Sequence, residues 1–320
     1  MGFAAVPPRP NPTDYLAAID TWLPRADAAI LHESVPWEAL LGGTSADAAV
    51  RALNLPLVQG YRGRGLDVVF TIDVTNGLDR ASEDPRLVAL GRSVTEPAVQ
   101  QAYRAYALAV ATVLQPSYIG LAAETNLIRL AAPRPVYDAV VAMTNAAARD
   151  LAAAGIRTPL YVSAQVETAW GRLGAVGGFA GIDTDLHDFP FVTALGLSSY
   201  PYLGGFAEPE QVPDDYYARV NATGLPLLVV EGGWTSASLG PIQSSPEKQA
   251  RWIRRNLELA ARAEARHVFQ LLFTDLDLDA LGLAGNPQLV PFATIGLVTA
   301  DLASKPALAE WDAVFARPRR

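Results

Sequence analysis

Short apolar runs alternate along this chain with longer stretches of helical character. Residues 3–6 form the first run, closed by a proline-rich loop at 7–12, and Thr13 or Asp14 is placed to cap a helix to about Leu23. Runs at 28–31, 66–72 and 118–123 follow, with a helix from about Ser45 between the first two. Thr95-Glu96-Pro97 opens another helix, reaching about Leu114, with proline just inside its start. A helix over 135–154 ends at Gly155, and the next run is 160–164. A glycine-rich segment at 171–181 interrupts the alternation before His187. Runs at 194–198, 226–230 and 268–273 complete the set, interleaved with helices near 213–220, 245–265 and 307–315. The pattern predicts an α/β protein: a single (β/α)8 barrel over residues 1–320.

The chemistry lies where the runs stop. Pro226-Leu227-Leu228-Val229-Val230 ends on Glu231-Gly232-Gly233-Trp234, and Tyr118-Ile119-Gly120-Leu121-Ala122-Ala123 ends on Glu124-Thr125-Asn126. A buried parallel strand delivering polar residues at its C-terminal end is the arrangement of a barrel active site. Counting runs puts Glu124 on the fourth strand and Glu231 on the seventh, so both belong to the same mouth. Glycoside hydrolysis needs two such groups, one to protonate the leaving oxygen and one to attack, or to activate water, at the anomeric carbon. Glu33, Asp73, Gln165 and Glu167 also fall at predicted strand ends and are candidates for binding sugar hydroxyls. Trp37, Trp170 and Trp234 fall in rim loops, where an indole can stack on a sugar ring. Trp22, Trp252 and Trp311 fall on helices and are expected to pack against the barrel.

Composition narrows the partners. Half of the residues are hydrophobic and 18% are charged, enough apolar surface for a large core. A net charge of −8 argues against a nucleic-acid partner. The absence of cysteine excludes disulfides, thiolate metal sites and thiol nucleophiles. The three histidines, His32, His187 and His267, have no metal-ligand spacing, so neither a metal nor a cofactor is expected. Asp275, Asp277 and Asp279 lack the glycine and terminal glutamate of a calcium loop and read as a solvated acidic loop. No apolar run is long enough to span a membrane. Met1-Gly2 directly before a strand is consistent with a trimmed export signal, which would imply an extracellular or cell-envelope protein; otherwise the cytoplasm is expected.

The ordered set of segments resembles glycoside hydrolase clan A, and within it the endo-β-1,4-galactanase family, family 53, and family 5-like relatives. Gly196-Leu197-Ser198-Ser199-Tyr200-Pro201-Tyr202 is similar to the clan's sixth-strand segment, and Val230-Glu231-Gly232-Gly233-Trp234 to its nucleophile segment. Gly296-Leu297-Val298-Thr299 with Ser304-Lys305-Pro306-Ala307 resembles a closing segment after the eighth strand. The resemblance implies a β-linked glycan as substrate, Glu231 as nucleophile, Glu124 as acid/base and Tyr200 as support for Glu231. It departs at Ala123, where the clan carries the asparagine that binds the sugar 2-hydroxyl, leaving Asn126 as the substitute if the strand end is rearranged. The clan's eighth-strand tryptophan is also replaced, by Phe273-Thr274-Asp275.

Two alternatives stand beside this reading. Either glutamate can be a structural ion pair with an arginine, and the whole can be a carbohydrate-binding barrel without turnover. Neither the oligomeric state nor the sugar is specified by these residues.

Overall fold

The computed structural model describes residues 1–174 and 177–317; Ala175 and Val176 of the glycine-rich segment lie outside the described residues. The first four strands are β1 (Gly2–Ala4), β2 (Ala28–Ser34), β3 (Asp67–Asp73) and β4 (Thr75–Asn76). They are followed by β5 (Asp79–Glu83), β6 (Tyr118–Ala122) and β7 (Leu160–Gln165). The last three are β8 (Leu195–Ser199), β9 (Leu227–Gly232) and β10 (His267–Gln270). Eight of them close a parallel barrel in the order β1-β10-β9-β8-β7-β6-β3-β2, and β4 and β5 form a small antiparallel hairpin. Glu124 thus follows the fourth barrel strand and Glu231 lies on the seventh, as the apolar runs predict. The strands read as runs rather than alternations because both faces are covered: Leu228, Val229 and Val230 are all fully buried.

The chain divides into two compact units. The first comprises Met1–Ile30, Val166–Gly181 and Leu197–Arg320. Its core includes Phe3, whose ring lies 5.8 Å from Trp22, 4.6 Å from Trp311 and 5.0 Å from Phe273. Trp22, Trp252 and Trp311 are buried, as expected of tryptophans on helices facing a barrel. Asn11, rather than Thr13 or Asp14, caps the first helix, its Oδ1 accepting from the Asp14 amide at 2.8 Å. Pro12 takes the first helical position, where a missing N–H costs nothing, so the cap lies just upstream of it. β10 stops at Gln270, short of residue 273. The Phe273 carbonyl instead accepts from the Leu297 and Val298 amides at 2.8 and 3.1 Å.

The second unit comprises Leu31–Gln165 and Ile182–Gly196. Tyr161 on β7 fills its interior, with its hydroxyl 2.5 Å from the Thr71 hydroxyl. A Cβ added at Gly120 or Gly196 would stand 2.6 or 2.8 Å from the Tyr161 ring, so one large side chain is accommodated by two glycines. The helix expected to reach residue 114 changes to a π-helical turn at Val110–Leu114 and ends on a left-handed Gln115. The β4–β5 hairpin is absent from the apolar pattern because its residues are almost all polar.

Candidate active site

In the first unit the site is built on the ends of β8 and β9. The apolar part of β9 runs to Val230, leaving Glu231 half-buried at the penultimate position of the strand. Its Oε1 accepts from the Ser198 hydroxyl at 2.9 Å and from the Tyr200 hydroxyl at 3.3 Å. Both donors come from one short stretch of chain at the end of β8, which the small Gly232 allows to approach closely. A Cβ at Gly232 would lie 2.6 Å from the Ser199 carbonyl oxygen. The Tyr200 ring is held edge-on by Phe292 at 5.0 Å and by Tyr202 at 6.4 Å.

Behind this stretch lies Glu167, in the short helix Val166–Ala169 that follows β7, with no solvent exposure. Its Oε1 accepts from the Tyr200 amide at 2.9 Å, from the Ser199 hydroxyl at 3.1 Å and from the Tyr216 hydroxyl. Burial pushes the Glu167 carboxyl up to about 6, against the opposing pull of Tyr216, the Tyr200 and Glu167 amides, and Ser199. The candidate role of sugar-hydroxyl ligand is corrected here: the carboxylate is enclosed by protein donors.

In the second unit, Glu124 sits two residues beyond the end of β6 with φ +49°, a left-handed conformation unusual for a residue with a side chain. Its amide donates to Ser163 Oγ at 2.9 Å, and its Oε2 accepts from Arg80 Nε at 2.9 Å. Arg80, from β5, also donates through Nη1 to Asp73 at 2.6 Å and to Thr75 at 3.1 Å. Burial works against the Arg80 charge, but Asp73 and Glu124 outweigh it and raise its pKa. Sequence reasoning leaves Arg80 out entirely; the Asn76-Gly77 dipeptide, a strong hairpin signal, was the cue that could have found its element.

The remaining candidates divide. Asn126 is buried and spends its amide on the end of β7, donating to the Gln165 carbonyl and accepting from the Gln165 N–H, both at 2.8 Å. Gln165 is itself 2% exposed. Glu33 is half-buried at the end of β2, and desolvation raises its pKa against the opposing charges of His32 and Arg86. Trp37 and Trp234 are each 1% exposed, so neither presents a free indole face, and the expectation that they stack on sugar is corrected. Trp234 packs instead on Tyr202 and Trp252 and donates to Ser244. Trp170 is half-buried, stacked on Tyr216 at 5.6 Å with the Arg219 guanidinium 4.9 Å from its ring centre. The acidic loop is not simply solvated: Asp275 pairs with Lys305 at 2.6 Å, and Asp277 with Arg9 at 2.9 Å. Among the described residues no group of three or more His, Cys, Asp or Glu could hold a metal ion, and no helix is long and apolar enough to cross a membrane.

No protein-family model matches the chain, and no curated protein matches its sequence. Solved structures do match its fold. An exo-β-1,4-mannosidase from an Opitutaceae bacterium superposes with TM-score 0.71 at 16% identity, covering 98% of this chain and 58% of its own. A family 5 glycoside hydrolase from Bifidobacterium longum, in complex with Manβ1-4GlcNAc, gives TM-score 0.64 at 12% identity, over 99% of this chain and 78% of its own. A family 39 glycoside hydrolase from Bacteroides cellulosilyticus gives 0.62 at 16%, over 99% and 63%. The chain therefore spans a little over half the length of the mannosidase. These neighbours are glycoside hydrolases, and the likeness is one of fold, the closed eight-stranded barrel; nothing in it points to family 53 in particular.

Proposed function

We propose that residues 1–320 act as one catalytic barrel that hydrolyses a β-linked O-glycosidic bond in an oligo- or polysaccharide by double displacement. Glu231 attacks the anomeric carbon while Glu124 gives its proton to the departing oxygen. Glu124 then takes a proton from water as that water displaces Glu231, returning the original anomeric configuration. The observation that carries the reading is the pair of hydroxyl donors on Glu231 Oε1, from Ser198 and Tyr200, which aim a strand-end carboxylate as a nucleophile must be aimed. Arg80 Nε holds Glu124 Oε2 and so fixes the orientation of this carboxyl group. Asp73 and Glu33, at the ends of their strands, are the proposed sugar-hydroxyl ligands; Gln165, nearly as enclosed as Glu167, is not among them. The β-1,4 linkage in the mannosidase's name and the Manβ1-4GlcNAc bound by the family 5 neighbour support a β-linked substrate.

Two observations favour a second reading, a carbohydrate-binding barrel without turnover. Glu124 is engaged in a buried ion pair, and Asn126, the substitute for the residue that would grip the 2-hydroxyl, is spent on β7. A panel of aryl β-glycosides and β-linked polysaccharides separates the two. Hydrolysis by wild type and not by Glu231→Ala supports the enzyme; glycan binding by both with no hydrolysis selects the binding barrel.

A further inference from the structure

Glu167 is buried too deeply to meet a substrate, yet it accepts three hydrogen bonds on one oxygen. Two of the donors, the hydroxyl of Ser199, the last residue of β8, and the Tyr200 amide that follows it, lie where the strand hands the Tyr200 phenol to Glu231. The third, the Tyr216 hydroxyl, comes from a ring fixed by Trp170 and Phe206. The loop beyond β8 packs against the aliphatic stem of Glu167, since a Cβ at Gly204 would stand 2.8 Å from Glu167 Cγ.

We propose that Glu167 is a positioning residue for Glu231, fixing the Tyr200 backbone so that the phenol reaches the strand-end carboxylate. The geometry makes this contact sensitive. Tyr200 Oη stands 3.3 Å from Glu231, at the long end of the hydrogen-bond range, so a small shift of the Tyr200 backbone breaks it. Ser198 lies within β8 itself and is held by the strand. Loss of Glu167 should therefore remove the Tyr200 contact before the Ser198 one. The expected effect on rate rests on the reading of Glu231 as nucleophile; the expected effect on Tyr200 does not.

The test uses the full chain labelled with ¹³C at the tyrosine Cζ positions. The Tyr200 resonance is the one lost in Tyr200→Phe, and Glu231→Gln calibrates the displacement caused by weakening its hydrogen bond. Glu167→Gln should move the Tyr200 resonance in the same direction; an unmoved resonance in the folded variant overturns the proposal. If Glu167→Gln does not fold, Tyr216→Phe removes one of the three donors and should give the same direction of displacement, and no displacement again overturns it. Where wild type hydrolyses an aryl glycoside, Glu167→Gln should lower kcat about ten- to a hundred-fold with KM little changed. That loss should vanish in a Tyr200→Phe background; a drop that simply adds to that of Tyr200→Phe also overturns the proposal. A wild type inactive on every glycoside sinks the glycosidase reading, while the resonance still decides the role of Glu167.

Discussion

At the scale of single residues, Glu167 is tested by pH and Glu124 by leaving group. Glu167 titrates at about 6 in the folded chain, against 4.5 for an ordinary glutamate, so the folded state binds this proton more tightly than the unfolded state. Its contribution to stability is complete below pH 4.5 and is lost as pH rises through about 6. The loss is on the order of 2 kcal/mol. Urea midpoints of wild type and Glu167→Gln should reveal a difference that shifts against wild type across this interval; a difference independent of pH contradicts the assignment. Glu124 is tested by leaving group. An activated aryl glycoside needs little protonation, so Glu124→Ala should retain glycosylation of such substrates while losing poor ones. Azide should accelerate its turnover and give the β-glycosyl azide, whereas Glu231→Ala should give the α-azide; the opposite stereochemistry would exchange the roles. Glu231 was legible because it ends a long apolar run. The Arg80 pair and the enclosure of Glu167 were not, since each joins residues far apart in the chain that no local pattern connects.

At the scale of elements, glycines decide how closely strands and rings approach. Tyr161 occupies the space that Gly120 and Gly196 leave open, its ring standing under 3.0 Å from either notional Cβ. Gly196→Ala should therefore destabilise by about 1–3 kcal/mol through overpacking. Tyr161→Ala should cost about 3–5 kcal/mol through the cavity it leaves. Urea unfolding measures both, and a neutral Gly196→Ala would mean that the ring moves aside without cost. The barrel strands were readable because covered parallel strands are apolar on both faces, as Leu228, Val229 and Val230 show. The β4–β5 hairpin was not, because Asp79, Arg80, Ser82 and Glu83 give no apolar signal. The rim tryptophans were misplaced for a related reason. Sequence position puts Trp37 and Trp234 outside the strands, but only the packed structure, in which Trp37 opens the short helix Trp37–Leu41, shows that protein already covers both indoles.

At the scale of the whole molecule, the eight-stranded closed barrel was legible from the order of apolar runs, and its likeness to glycoside hydrolases is one of fold. Function rests on fewer residues than the fold does. The proposed hydrolysis requires Glu231, held by Ser198 and Tyr200, to bond to the sugar. The most direct test is to incubate the chain with a panel of activated 2-deoxy-2-fluoro-β-glycosides and to map the modified peptide by mass spectrometry. One fluoroglycosyl ester, on Glu231, should form as activity is lost. An ester on another carboxylate, or undiminished hydrolysis with Glu231 unmodified, would contradict this role of Glu231.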